Sequence, residues 1–265
     1  RYSKNYPAAV FNPTNFPSAG NPMSGNHKPD VLARVYGMVE NIDENVGRLL
    51  SRLDALNLTE DTIVVFFSDN GATRHNGFNG GLRGWKGTPY QGGIQQFCFI
   101  RWPAQFKAGH QIEQITSHID LAPTLLDLCG VRKPRRVKFD GVSLAPLLRG
   151  EAVRWPERML FAQWHRGDVP DQYRHFAVRS QDWKLVQPHG REEPWNGQTE
   201  FQLFNITNDP YEQHDLAAQY PERVAELKRA YERWFDDVTS GKHLEKPQRI
   251  QIGTRMENPV LLTRQ

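Results

Sequence analysis

The spacing of apolar positions changes along this chain, and each change marks an element. Residues 1–29 carry Pro, Asn, Gly and Ser without a period and predict an irregular extended segment. From Asp30 to Leu56, the positions Leu32, Val35, Val39, Ile42, Val46, Leu49, Leu53 and Leu56 follow steps of three and four. Such steps line one side of a long amphipathic helix, and the stripe is expected to be buried. A polar turn at Asn57–Asp61 leads into Thr62–Phe67, a β-prone run without alternation. That run predicts a strand buried on both faces, as in a parallel sheet. Helix, short turn and buried strand make the αβ half of a doubly wound unit. Ser68 to Gly93 reads as loop, Gln96 to Trp102 as a strand stopped by Pro103, and Ile119 to Leu128 as a helix closed by Gly130. A short helix covers Ser143 to Leu148.

After Gly150 the pattern shifts to short strand-like runs at Met159–Trp164, His175–Arg179, Trp183–Gln187 and Glu200–Phe204, with turn residues between them. One helix follows, from Pro221 at its first turn to Val238, with Val224, Leu227, Tyr231, Trp234 and Val238 on its apolar face. The pattern therefore divides the chain into an α/β portion (1–155), a small α+β subdomain with an antiparallel sheet (156–240) and a tail (241–265).

Composition narrows the function classes. Hydrophobic residues at 38% are somewhat few, but aromatic residues at 11% of 265 residues support a packed core rather than a disordered chain. Basic and acidic residues number 33 and 30 and are interspersed, so no nucleic-acid footprint is expected. No apolar run reaches the ~18 residues of a membrane-spanning helix. Cys98 and Cys129 sit among apolar neighbours and read as buried thiols, not as a disulfide framework.

Two loop motifs carry candidate chemistry. Ser68-Asp69-Asn70-Gly71 follows the first strand directly, and open α/β sheets bind ligands beyond the carboxyl ends of their strands. Asp69 and Asn70 offer hard oxygen ligands suited to Ca²⁺ or Mg²⁺, although the same residues also form ordinary turns. The glycine-rich loop Gly80–Gly93 holds a single lysine, Lys86. Its glycines allow close approach of backbone to an anion, and Lys86 supplies a point charge, but the spacing is not that of a P-loop. Arg74 and His75 follow the first motif and either face a substrate or lie on a surface loop.

Taken in order, a strand, S-D-N-G, then G-x-K-G-T-x-x-x-G-G and a strand ending in R-W-P resemble the sulfatase family. The stretches Tyr36–Leu50, Ser117–Leu126, Asp140–Leu144 and Leu203–Glu212 with Asp215-Leu216 are similar to further signatures of that family, so the resemblance covers residues 30–240. It implies the C-terminal part of a doubly wound sulfatase-like sheet, followed by the α+β subdomain and its terminal helix. It implies hydrolysis of a sulfate ester, on a sulfated small molecule or sulfated carbohydrate. Asp69 and Asn70 would complete a Ca²⁺ (or Mg²⁺) shell, and Lys86 would contact the sulfate and the leaving oxygen. The family's nucleophile is a formylglycine within C/S-x-P-x-R, and no such motif occurs in these residues. The resemblance therefore implies a missing N-terminal half that brings it. Gln91 replaces the Glu usual before the double glycine, which would weaken a supporting hydrogen bond. Two alternatives remain at this point: a phosphate or phosphonate ester hydrolase of the same superfamily, and a non-catalytic sulfatase-like binding domain. A periplasmic, secreted or lysosomal-type compartment is implied only by the resemblance.

Overall fold

A computed structural model describes residues 29–74, 78–166, 170–192, 194–240, 250–252 and 260–262. The elements run α1 (Pro29–Ala55), β1 (Val64–Phe67), α2 (Gln91–Ile94), β2 (Cys98–Arg101), a 3₁₀ turn (His118–Asp120), α3 (Leu121–Leu128) and α4 (Ala145–Leu148). They continue with β3 (Leu160–Gln163), β4 (Phe176–Arg179), β5 (Trp183–Gln187), β6 (Gln202–Asn205), α5 (Pro221–Thr239), β7 (Ile250–Ile252) and β8 (Val260–Leu262). Among the described residues, no helix is long and apolar enough to cross a membrane.

The second half is built as the period-two pattern predicts. Strands β3 to β6 form one antiparallel sheet in chain order. Successive side chains point to opposite faces, and here both faces are covered. Phe176, Val178, Leu185 and Leu203 pack against Leu227 and Tyr231 of α5. The Phe176 and Tyr231 rings stack with centroids 3.7 Å apart. The alternate residues Ala177, Val186 and Phe204 turn the other way and pack, with Ile206, on Tyr90 and Ile94. The sheet thus lies between α5 and the end of the glycine-rich loop. A separate apolar cluster of Leu128, Leu144, Ala145 and Leu148 supports Ile63, Ile100 and Trp102 from the β1–β2 segment. The residues expected to form a tail include one antiparallel pair, β7 with β8.

Three expectations are corrected. Strand β1 pairs antiparallel with β2, and Phe66 and Phe67 are exposed, so β1 is not buried on both faces. A two-stranded ribbon has one layer beneath it here, and burial on both faces needs two. The helix α1 forms as its spacing predicts, but Val39, Ile42, Leu49 and Leu56 on its apolar stripe are exposed, Val39 by 55%. Spacing sets which residues share a face, and only a partner element covers that face. Cys98 and Cys129 are both exposed rather than buried. Cys98 opens the uncovered β2 ribbon, and Cys129 caps the C-terminus of α3.

Candidate functional site

Asp69 and Asn70 sit in the turn immediately after β1, Asp69 exposed and Asn70 half-buried. The Ser68 hydroxyl donates to the Asn70 carbonyl at 3.1 Å and tightens the turn. The Gly71 amide then donates to the Gly93 carbonyl at 2.9 Å. The approach is so close that a Cβ on Gly71 would overlap the Gly92 carbonyl oxygen, so only glycine fits. One residue on, the Ala72 carbonyl accepts the Lys86 amide at 2.8 Å. These bonds clip the Asp69–Asn70 turn to the loop that carries Lys86.

The loop is held by its own side chains. Asn79 donates through Nδ2 to the carbonyls of Leu82 and Gly84 at 2.6 and 2.9 Å. Thr88 Oγ1 accepts the Trp85 amide and donates back to the Trp85 carbonyl, at 3.1 and 2.8 Å. Lys86 stands exposed between these residues. The Arg74 guanidinium lies over the Trp85 ring, 4.6 Å from its centroid, which brings Arg74 beside Lys86. The backbone bonds and the Arg74–Trp85 stack thus join the two loops that carry Asp69, Asn70, Arg74 and Lys86. His75 lies outside the described residues.

The C-terminal sheet grips this loop at two points that sequence reasoning missed. At one, Lys184 and Glu212 form a fully buried ion pair, Nζ to Oε1 at 2.8 Å. The second Glu212 oxygen accepts the Gln91 amide at 2.7 Å, and Lys184 also donates to Gln91 Oε1 at 3.2 Å. Arg83 donates to the Glu212 carbonyl at 2.8 Å and stacks on Tyr90. The Gln91 side chain thus has a buried partner in Lys184, and Glu212 supplies a carboxylate to the Gln91 amide. Burial pushes the Lys184 ammonium down to about 8, with Glu212 opposing the shift. At the second point, His175 Nε2 lies 3.0 Å from the Gly87 carbonyl oxygen and Nδ1 lies 2.8 Å from that of Pro188. Burial lowers the His175 pKa below the ordinary imidazole value, the two carbonyls oppose this, and Arg191 and His165 add to it. The signal for Lys184 was a lysine inside the apolar strand Trp183-Lys184-Leu185-Val186. A charge there is kept only when paired. Nothing in the sequence pointed to His175.

Among the described residues, no three His, Cys, Asp or Glu side chains gather as a metal site. The Asp69 carboxylate and the Asn70 carboxamide fit a hard divalent cation by chemistry and by place. They would supply two of the ~6–8 oxygens that Ca²⁺ takes.

This loop-on-loop surface lies at the end of strand β1 and is backed by the small antiparallel sheet, on an α/β frame. The sulfatase family model matches residues 1–131, and the model described as N-sulphoglucosamine sulphohydrolase, C-terminal, matches residues 85–236. The chain belongs to the sulfatase family. It is 31% identical to an N-acetylglucosamine-6-O-sulfatase of Bacteroides thetaiotaomicron, over 86% of this chain and 39% of the relative. Its fold is similar to that of Ps i-CgsB in complex with k-i-k-neocarrahexaose, with a TM-score of 0.66 and 29% identity, over 79% of this chain and 44% of the other. It is also similar to BT4656 in complex with its substrate D-glucosamine-2-N,6-O-disulfate, with a TM-score of 0.59 and 26% identity, over 79% and 41%. The chain spans only 25–39% of the length of the first curated relatives it matches.

Proposed function

We propose that the protein carrying this chain is a sulfatase that hydrolyses a sulfate ester on a carbohydrate. The observation that carries this reading is the clipping of the Asp69–Asn70 turn to the Lys86 loop within a chain of this family. Asp69 and Asn70 hold one side of a divalent cation. When bound, that cation offsets negative charge on the sulfuryl oxygens. Lys86 directs its ammonium at the oxygen that leaves. Charge grows there as the S–O bond breaks, so the cation binds the transition state more strongly than the ground state. Arg74 on Trp85 adds a second cation and an aromatic face beside Lys86, which suits an anionic sugar. The substrate class draws on the relatives, whose names and titles carry N-acetylglucosamine, a disulfated glucosamine and a neocarrahexaose. The C/S-x-P-x-R motif of the family's formylglycine nucleophile does not occur in these 265 residues.

The test is turnover by the full-length protein of 6-O-sulfated N-acetylglucosamine and of an aryl sulfate, with metal content measured alongside. Turnover that is lost together with bound metal in Asp69→Ala is expected. A full-length protein that turns over phosphate monoesters and leaves sulfate esters intact would overturn the reading.

A further inference from the structure

Lys86 is presented by a loop whose next turn is bound by one buried imidazole. His175, immediately before β4, is 3% exposed. Its Nε2 lies 3.0 Å from the Gly87 carbonyl oxygen and its Nδ1 lies 2.8 Å from the Pro188 carbonyl oxygen. Carbonyl oxygens only accept. A neutral imidazole carries one N–H, so its tautomer decides which carbonyl is bound and which meets a lone pair. Gly87 directly follows Lys86 and has φ +83°, a conformation side-chain-bearing residues rarely adopt. A contact at its carbonyl restrains the glycine directly next to Lys86.

Two further observations single out this contact. His175 itself has φ +47°. A non-glycine residue holds such a conformation only where its surroundings over-determine it. The Arg191 guanidinium closes on Gly87 as well, since a Cβ placed there would lie 3.3 Å from it. The two carbonyls favour a second proton on the ring, but burial outweighs them. Arg191 and His165 turn positive charge toward it, and the edge-on Trp164 ring is 6.3 Å away. The His189 carbonyl accepts the His175 backbone amide at 3.0 Å.

We propose that His175 is a positioning residue for Lys86, acting by donating its Nε2–H to the Gly87 carbonyl. This rests on the reading of Lys86 as the cation that meets the sulfate ester. The test uses the full-length protein with His175→Gln and His175→Asn. A glutamine amide reaches about as far as Nε2 and can serve Gly87; an asparagine amide reaches about as far as Nδ1 and can serve only Pro188. His175→Asn is expected to lower kcat about 10- to 100-fold with KM little changed, because small misplacements of a catalytic group carry penalties of that order. His175→Gln is expected to recover most of the rate. Hydrogen exchange of the Lys86 and Thr88 amides, which donate to Ala72 and Trp85, is expected to be about tenfold faster in His175→Asn than in His175→Gln. Equal rates and equal exchange in the two variants would overturn the proposal. Nitrogen-15 shifts of the wild-type ring give a readout that needs no variant to fold. A protonated Nε2 at neutral pH is expected, and an Nδ1–H tautomer with a bare Nε2 would overturn the proposal. If the wild-type protein turns over no sulfate ester, the functional reading fails by itself, while exchange and nitrogen shifts still decide the Gly87 contact.

Discussion

Lys86 and Lys184 carry the same ammonium into opposite surroundings, and their chemistry separates accordingly. Lys86 is exposed on a glycine-rich loop; Lys184 is sealed against Glu212. An ordinary exposed loop lysine is worth less than ~0.5 kcal/mol to stability when removed. A preorganised donor to a transition state is worth about 2.7–4 kcal/mol in rate. We expect Lys86→Ala in the full-length protein to lower kcat/KM about 100-fold or more, with an unchanged melting temperature. A tenfold loss or less in steady-state kinetics would return Lys86 to the surface. His175 yields a different prediction at this scale. Its folded-state pKa is below the ordinary ~6.5. Just below 6.5 the unfolded chain binds a proton that the folded chain does not. Stability therefore rises with pH through that window and is level above it. Urea unfolding of wild type and His175→Gln between pH 5 and 7.5 should show a slope in the wild type that the variant lacks. Parallel pH profiles would refute the assignment.

Between elements, the sheet and the glycine-rich loop are joined by few side chains placed far apart in the chain. Lys184 lies in β5, Glu212 follows β6, and Gln91 opens α2. Glu212 has φ +57°, so its backbone, like that of His175, is held in a conformation non-glycine residues seldom occupy. Removing one partner of a buried ion pair leaves the other charge uncompensated, at about 3–5 kcal/mol. We expect Glu212→Gln to destabilise the protein by that order in denaturant titration. The double variant Glu212→Gln with Lys184→Met should recover much of the loss, because no charge then remains buried. A single variant within ~0.5 kcal/mol of wild type would show that the pair holds nothing together. Strands β3 to β6 and helix α5 were legible to within two residues at each end, because each face of the sheet repeats with period two and α5 repeats with period 3.6. Their joining to the loop was not legible, since Glu212 and Lys184 read in sequence as one acid in a turn and one base in a strand.

Across the whole molecule, two apolar faces stand open among the described residues. One is the α1 stripe of Val39, Ile42 and Leu49; the other is the aromatic row of Phe66, Phe97 and Phe99 on and beside the β1–β2 ribbon. Phe99 is 64% exposed. Contiguous apolar surface of this kind marks a contact or an association hazard. We therefore expect residues 1–265 expressed alone to bind an apolar dye and to hydrolyse no sulfate ester. Phe99→Glu should lower dye fluorescence. Turnover of an aryl sulfate above blank by these residues alone would show that the C/S-x-P-x-R nucleophile is not needed.

The sequence by itself determined α1, α3 to α5, the strands β1 to β6, the order of the motifs and the family resemblance, because periodicity and turn chemistry are local properties that survive in one dimension; it read α2 as loop and the β7–β8 pair as tail. It placed Asp69 and Asn70 at the end of β1 and Lys86 between glycines for the same reason. Only the tertiary structure decided which apolar faces are covered, how β1 pairs, and that Gly71, Ala72 and Gly93 join the two candidate loops. It also decided that His175 reaches Gly87 across 88 positions of chain and that Glu212 reaches Gln91 across 121. A side chain's partner is set by the path of the backbone through space, and a buried donor, acceptor or charge is satisfied by whatever that path brings within about 3 Å.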